Sequence, residues 1–385
     1  MIKSITLKWP PVVEFGEGKR GTLKEYLVNA KRVFFLIDPP ILTVFDALLS
    51  EIKEMGIETM VSTDVVPEPP FGALNRLLEP VKTFFPDVIV GIGGGSAMDL
   101  AKLISVLFPG DQKAAEIIGI DNVKGRHIKL VTLPTTSGTG SEVTPIAVLT
   151  DEEQHLKKGV VSRFLIPDIA IVDPELTYSL PPAITASTGM DAMTHCIEAY
   201  TNKYSHPLID IIALDGIRLI AENLEKAVKD GADHQARSAM SLASLYGGFC
   251  LGPVNTAATH ALAYPLGGEF KIAHGVSNSV LLPFIMTYNL PSCVEKYARM
   301  ARVMGVEDKG SEEEVARQGI LKIREIACNC GIPASLKELS IPADAIDTMT
   351  DAAMKVTRLL DNNPRPITRD DAREIFLKAY KGEVC

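Results

Sequence analysis

The sequence predicts an α/β domain built on a mostly parallel sheet, followed by an all-α domain. Short β-branched runs alternate with amphipathic stretches from Lys31 to about Asp173, the pattern of strands joined by crossover helices. After Leu180-Pro181-Pro182 that signal stops and long helical patterns take over. The length, 385 residues, exceeds what one hydrophobic core ordinarily serves, so two domains are expected, 1–180 and 181–385.

In chain order, the candidate strands are Val33 to Ile37, Thr59 to Ser62, Asp87 to Ile92, Lys129 to Leu133 and Ile169 to Val172. Between them, Val44 to Met55 reads as a helix with Phe45, Leu48, Ile52 and Met55 on one buried face, and Ala73 to Phe85 as another. The second half adds helical patterns at Ile184 to Tyr200, Pro207 to Lys229, His234 to Leu251 and Val276 to Asn289.

A formal net charge of -9 leaves no basic face for phosphate backbones, which argues against nucleic acid as a partner. The start, Met1 to Pro10, has no continuous apolar core of a secretion signal, and no later run is long enough to span a bilayer. A cytoplasmic protein without a membrane partner is the expectation. Cys196, Cys250, Cys293, Cys328, Cys330 and Cys385 form neither a disulfide framework nor a thiolate zinc site and read as free thiols.

The run Asp87-Val88-Ile89-Val90-Gly91-Ile92 leads straight into Gly93-Gly94-Gly95-Ser96 and then a helix beginning Ala97-Met98-Asp99. Glycines let backbone N–H groups approach a pyrophosphate at a helix's positive end, with Ser96 capping the helix and Asp99 three residues on. A tight turn with a good cap is the plainer reading. A second loop after another strand, Thr135-Thr136-Ser137-Gly138-Thr139-Gly140-Ser141-Glu142 with Thr144 beyond, supplies hydroxyl donors at the same sheet edge and favours a dinucleotide. Asp38 closes the first strand, where a carboxylate accepts from ribose hydroxyls and repels a 2′-phosphate, favouring NAD over NADP; a turn residue before Pro39-Pro40 is the competing reading. The acid precedes the glycines, the reverse of the common dinucleotide order.

Asp191 and His195 lie four residues apart on one helical face, which by itself means only a surface pair. His260 and His274 stand further on in apolar or glycine-flanked settings, and three such histidines with one acid suit a divalent ion, Fe(II) or Zn, better than a satisfied core. His127, His155, His206 and His234 have polar neighbours and read as surface residues.

With these pieces together, the chain resembles the iron-containing (group III) alcohol dehydrogenases over nearly its whole length. The motif Gly93 to Lys102, the Thr135 loop, Asp173-Pro174-Glu175-Leu176, the Asp191 and His195 helix, His260, His274 and Asn363-Pro364-Arg365-Pro366 carry the resemblance. It implies an N-terminal dinucleotide-binding α/β domain and a C-terminal all-α metal-binding domain, the architecture shared with dehydroquinate synthase, and homodimers or larger assemblies. It implies metal ligands Asp191, His195, His260 and His274, a pyrophosphate loop from Gly93 through Asp99, and Lys157 on the nicotinamide side. Activity would pass hydride between NAD and a small primary alcohol or aldehyde, the metal acting on the substrate oxygen.

Two departures stand out. Many members carry a further histidine four residues after the third ligand, where this chain has Tyr264, and asparagine in the Val-Pro-x-Pro segment, where it has Glu68. A dehydroquinate synthase-like lyase would need lysines and arginines around a phosphorylated acid, but the ligands are flanked by Ala257-Ala258-Thr259 and Ala261-Leu262-Ala263-Tyr264. A cofactor-binding protein without catalysis is countered by the complete ligand set.

Overall fold

Side chains of successive strand residues point to opposite faces, so a strand covered on both sides must be apolar throughout. Val33–Ile37 meets that demand: Phe34 and Leu36 enter one core with Ile89 and Leu130, while Val33, Phe35 and Ile37 enter a second with Val90, Ile92, Val131 and Leu133. The computed structural model describes residues 2–110, 112–151 and 156–384; His155 and Cys385 lie outside them.

One unit spans Leu7–Tyr178. Its elements are β1 (Val12–Phe15), α1 (Leu23–Leu27), β2 (Arg32–Ile37), α2 (Asp46–Glu54), β3 (Glu58–Ser62), α3 (Phe71–Phe84), β4 (Val88–Gly93), α4 (Gly95–Leu107), β5 (Gly119–Ile120), β6 (Lys129–Pro134), β7 (Ile146–Asp151), β8 (Leu156–Val161) and β9 (Ile169–Val172). Six strands form one sheet in the order β1-β9-β6-β4-β2-β3, every pair parallel. The expected strands are thus found, with β1 added at an edge. A second, three-stranded sheet, β5-β8-β7, was not foreseen; its β7 and β8 are antiparallel.

Helices α3 and α4 cover the first core through Leu74, Leu77, Val81, Leu100, Ile104 and Leu107, and α1 and α2 cover the second through Leu23, Leu27, Leu49 and Ile52. Each such side chain contributes about 1.5–3 kcal/mol on full burial. The predicted face of the second helix is corrected in one respect. Residues 39–45 wind as a tighter 3-10 turn, which rotates the following α-helix so that Leu49 is buried and Met55 is exposed.

The other unit takes Ser179–Cys385 together with Met1–Thr6, the latter expected in the first domain. It contains α5 (Pro182–Thr201), α6 (Pro207–Lys229), α7 (His234–Leu251), α8 (Ala258–Phe270), α9 (His274–Val303), α10 (Glu312–Asn329), α11 (Ile346–Ala353), α12 (Thr357–Leu360) and α13 (Arg369–Lys381). Helix α5 packs on α6, α7 and α9 and is buried almost all round. Helix α9 runs past the expected Asn289 and is broken at Cys293, after Pro291.

His206 is buried rather than a surface residue. Its Nδ1 accepts from Leu208 N–H and caps α6, and its Nε2 meets the Lys3 carbonyl at 2.8 Å, tying the first residues to this unit. The five described cysteines are free, and no described helix is long and apolar enough to cross a membrane.

Candidate active site

Helix α5 places Asp191, His195 and Glu198 at intervals of four and three residues, hence down one side. Helix α8 brings His260, and the first two turns of α9 bring His274 and Asn278. The Nε2 atoms of His274, His260 and His195 stand 3.7, 3.8 and 3.9 Å from Asp191 Oδ1. Asp191, His195 and His260 form the tight trio, with ligand atoms within 4.8 Å of one another, and could hold a metal ion. His274 joins through Asp191 and is the open side, its side chain 29% exposed against 5% for the other three.

Burial pushes the Asp191 carboxyl up, but the imidazoles of His195, His274 and His260 and the Asn278 amide pull it down to about 2. An ionised oxygen facing imidazole nitrogens, without a thiolate, is a donor set for a borderline divalent cation. Asn278 donates to Asp191 Oδ1 at 2.8 Å and lies 3.1 and 3.2 Å from His260 Nε2 and His274 Nε2, while its buried Oδ1 has no partner among the described residues. An acceptor left bare beside a converging donor set fits a site completed by a cation and its water.

Glu198 escapes the sequence reading, although seven residues from Asp191 is two helical turns. Its Oε2 takes His260 Nδ1 at 2.7 Å and the Ala257 N–H at 2.9 Å, and its Oε1 takes the Thr259 N–H at 2.5 Å. Burial raises its carboxyl, but His260 and these donors hold it below its ordinary value. With Nδ1 engaged as a donor, the lone pair of His260 is left on Nε2, facing Asp191. Tyr264, four residues on, lies with its ring 6.4 Å from that of His274, and burial raises its phenol against the opposing charge of Arg358.

In the α/β unit the glycine turn crosses from β4 to α4. The Gly94 N–H donates to Asp38 Oδ2 at 2.7 Å, because β2 and β4 are neighbours although far apart in sequence. Gly93 has φ +154, and a Cβ there would overlap the Asp38 carboxylate; one at Gly95 would stand 2.8 Å from Thr139 Cγ2. Glycine is thus demanded at both positions by the close packing of Asp38 and Thr139 on the turn, which leaves the backbone at the start of α4 without side chains of its own. The Thr135 N–H bonds the Gly93 carbonyl at 3.0 Å and Thr136 lies against Gly94, so the threonine loop packs on the glycines.

The predicted cap is corrected. Helix α4 begins at Gly95 with Gly94 as its N-cap, and Ser96, already inside the first turn, accepts instead from the Glu68 N–H at 3.1 Å. Asp99 accepts from Ser141 Oγ at 2.5 Å and the Val148 N–H at 2.9 Å. Thr144 is buried, its hydroxyl 3.0 Å from Lys102 Nζ, which makes it a support of the loop rather than part of its open face. Lys102 also donates to Ser141 Oγ at 2.7 Å and the Ile146 carbonyl at 2.9 Å; burial pushes its ammonium down to about 8, against Asp99 and Glu142. Lys157 is on β8 and pairs with Glu68 Oε1 at 2.8 Å.

Comparison with known proteins bears on both halves. Residues 10–174 match the family "Iron-containing alcohol dehydrogenase", and residues 185–380 match "Fe-containing alcohol dehydrogenase family, C-terminal". The chain is 38% identical to long-chain-alcohol dehydrogenase 1 of Geobacillus thermodenitrificans, over 98% of this chain and 97% of that one. It is 31% identical to the NAD-dependent methanol dehydrogenase of Bacillus methanolicus, over 96% and 98%. The crystal structure of a 1,3-propanediol oxidoreductase superposes with a TM-score of 0.94 at 34% identity, covering 98% of this chain and all of that one. The chain therefore belongs to the iron-containing alcohol dehydrogenase family, and its activity is that of a metal-dependent alcohol dehydrogenase.

Proposed function

We propose that the chain interconverts small neutral primary alcohols and aldehydes at a metal held by Asp191, His195, His260 and His274. The convergence of three imidazole Nε2 atoms on Asp191 Oδ1 carries this reading. A divalent ion bound there, Fe(II) or Zn, supplies Lewis-acid polarisation of the substrate oxygen. Glu198 fixes the tautomer of His260, and Asn278 orients Asp191. Gly93, Gly94, Gly95, Ser96 and Thr139 cradle the pyrophosphate at the start of α4, with Asp38 on the adenosine ribose and Lys157 on the nicotinamide side. A neutral substrate is supported by the buried apolar residues beside the ligands, Ala257, Ala258, Ala261, Leu262 and Ala263.

The enzyme is read as cytoplasmic, acting on small molecules rather than nucleic acid. Assembly as a homodimer or larger is supported by Leu208 and Ile211, both exposed at the start of α6.

The test is a panel of alcohols and aldehydes assayed with NAD after reconstitution with Fe(II) or Zn. The largest kcat/KM is expected for neutral primary alcohols; preference for a carboxylate or phosphorylated substrate would overturn the assignment.

Tyr264 occupies a position where a neighbouring histidine would pass protons near neutrality, but burial moves its phenol further from that range. Its part is then to shape the pocket. Tyr264→Phe is expected to lower kcat only a few-fold and leave the shape of the pH–rate profile unchanged. A loss beyond about a hundredfold, the scale of a positioned acid or base, would make it the proton carrier.

A further inference from the structure

Glu68 lies between β3 and α3 in left-handed backbone, φ 49. Asparagine, aspartate and glycine enter that region most readily, and glutamate has no local hydrogen bond to offset the strain. The surroundings hold it there. Its N–H donates to Ser96 Oγ at 3.1 Å in the first turn of α4, and its carbonyl accepts from Thr150 Oγ1 on β7 at 2.9 Å. The adjacent Pro69 carbonyl accepts from the Thr150 N–H at 2.9 Å. The carboxylate meets Lys157 Nζ on β8 at 2.8 Å, with the Lys157 side chain only 9% exposed.

A strained backbone is therefore kept at a residue whose distinguishing feature is its charge, placed beside the glycine cradle. Asp38 flanks the cradle at Gly94, and Ser96 leads away on the other side. A dinucleotide whose adenosine ribose lies at Asp38 sends its nicotinamide half past Ser96, toward Glu68 and Lys157. The oxidised ring carries a positive charge and the reduced ring none. A lysine alone beside that path favours the reduced form; a carboxylate paired with it cancels the bias.

We propose that Glu68 is a specificity-determining residue for the redox state of the cofactor, its carboxylate offsetting Lys157 and so raising the affinity for NAD relative to NADH. This rests on the cradle reading given above. Unit charges several Å apart at an effective dielectric of about 20 interact strongly enough to change a binding ratio tenfold.

The experiment is equilibrium titration of the full chain with NAD and with NADH, without alcohol, for the unsubstituted protein, Glu68→Gln and Glu68→Asn. Both variants are expected to raise the ratio Kd(NAD)/Kd(NADH) by about tenfold, with the shift shrinking as salt is added. Glu68→Asn, with a side chain suited to left-handed backbone, is expected to keep a higher Tm than Glu68→Gln, since both lose the partner of Lys157. An unchanged ratio, or equal weakening of both cofactors, would reduce Glu68 to a scaffold and overturn the proposal while leaving the cradle intact. Failure of the unsubstituted protein to bind either cofactor would overturn the cradle and the proposal together.

Discussion

His260→Ala is expected to abolish most metal retention and to lower turnover by more than a hundredfold while the protein stays folded. Substituting residues that merely orient metal ligands already costs about 10–100-fold, and His260 itself faces Asp191 at 3.8 Å. The fold should survive because Glu198 keeps its bonds to the Ala257 and Thr259 N–H groups without the imidazole. Metal content, turnover and circular dichroism on one sample decide the matter. Full metal and full activity would remove His260 from the ligand set.

Gly275→Ala is expected to have a comparable effect without touching a ligand. Helix α9 begins at His274, and at Gly275 it presses on α5 so closely that a Cβ would overlap the Ser187 carbonyl. Ser187 is four residues before Asp191 on α5. The glycine therefore sets the separation between the helices that carry Asp191 and His274, now 3.7 Å apart at their facing atoms. Backbone cannot rotate aside as a flexible side chain can, so α9 must move outward. Overpacking costs about 1–3 kcal/mol, and a displacement of about 1 Å at a reacting centre costs on the order of a hundredfold in rate. A fall in Tm together with a hundredfold loss of kcat/KM and weaker metal retention is the expected result. Ordinary kcat/KM in a protein of ordinary Tm would show that the two helices are not spaced by this contact.

These expectations draw unequally on the sequence. Strands β2, β4 and β6 were legible because burial on both faces leaves unbroken apolar runs. β1 was not, since an edge strand carrying Glu14 and half-buried throughout has no such run. The β7–β8 pair was missed although Ile146-Ala147-Val148-Leu149 is a short apolar run, because it follows the small, hydroxylated loop from Thr135 to Glu142 and nothing local shows that Thr150 pairs with Lys157.

The four proposed metal ligands were legible as rare residue types in apolar settings. Glu198 and Asn278 were not, because a carboxylate or amide on a helix ordinarily faces water, and only packing reveals what each one orients. The cap at Ser96 failed for a geometric reason: three glycines let the helix start two residues earlier than a hydroxyl-first rule expects.

The cage around Lys102 bears on how the dinucleotide arrives. Three oxygens from Ser141, Thr144 and Ile146 fix one buried ammonium, which pins the end of the threonine loop to α4 before any ligand is present. The conformational entropy of that segment is lost during folding and need not be lost again on association. Cofactor capture at this edge is then closer to docking on a preorganised surface than to coupled ordering, and its heat-capacity change reflects the contact area alone.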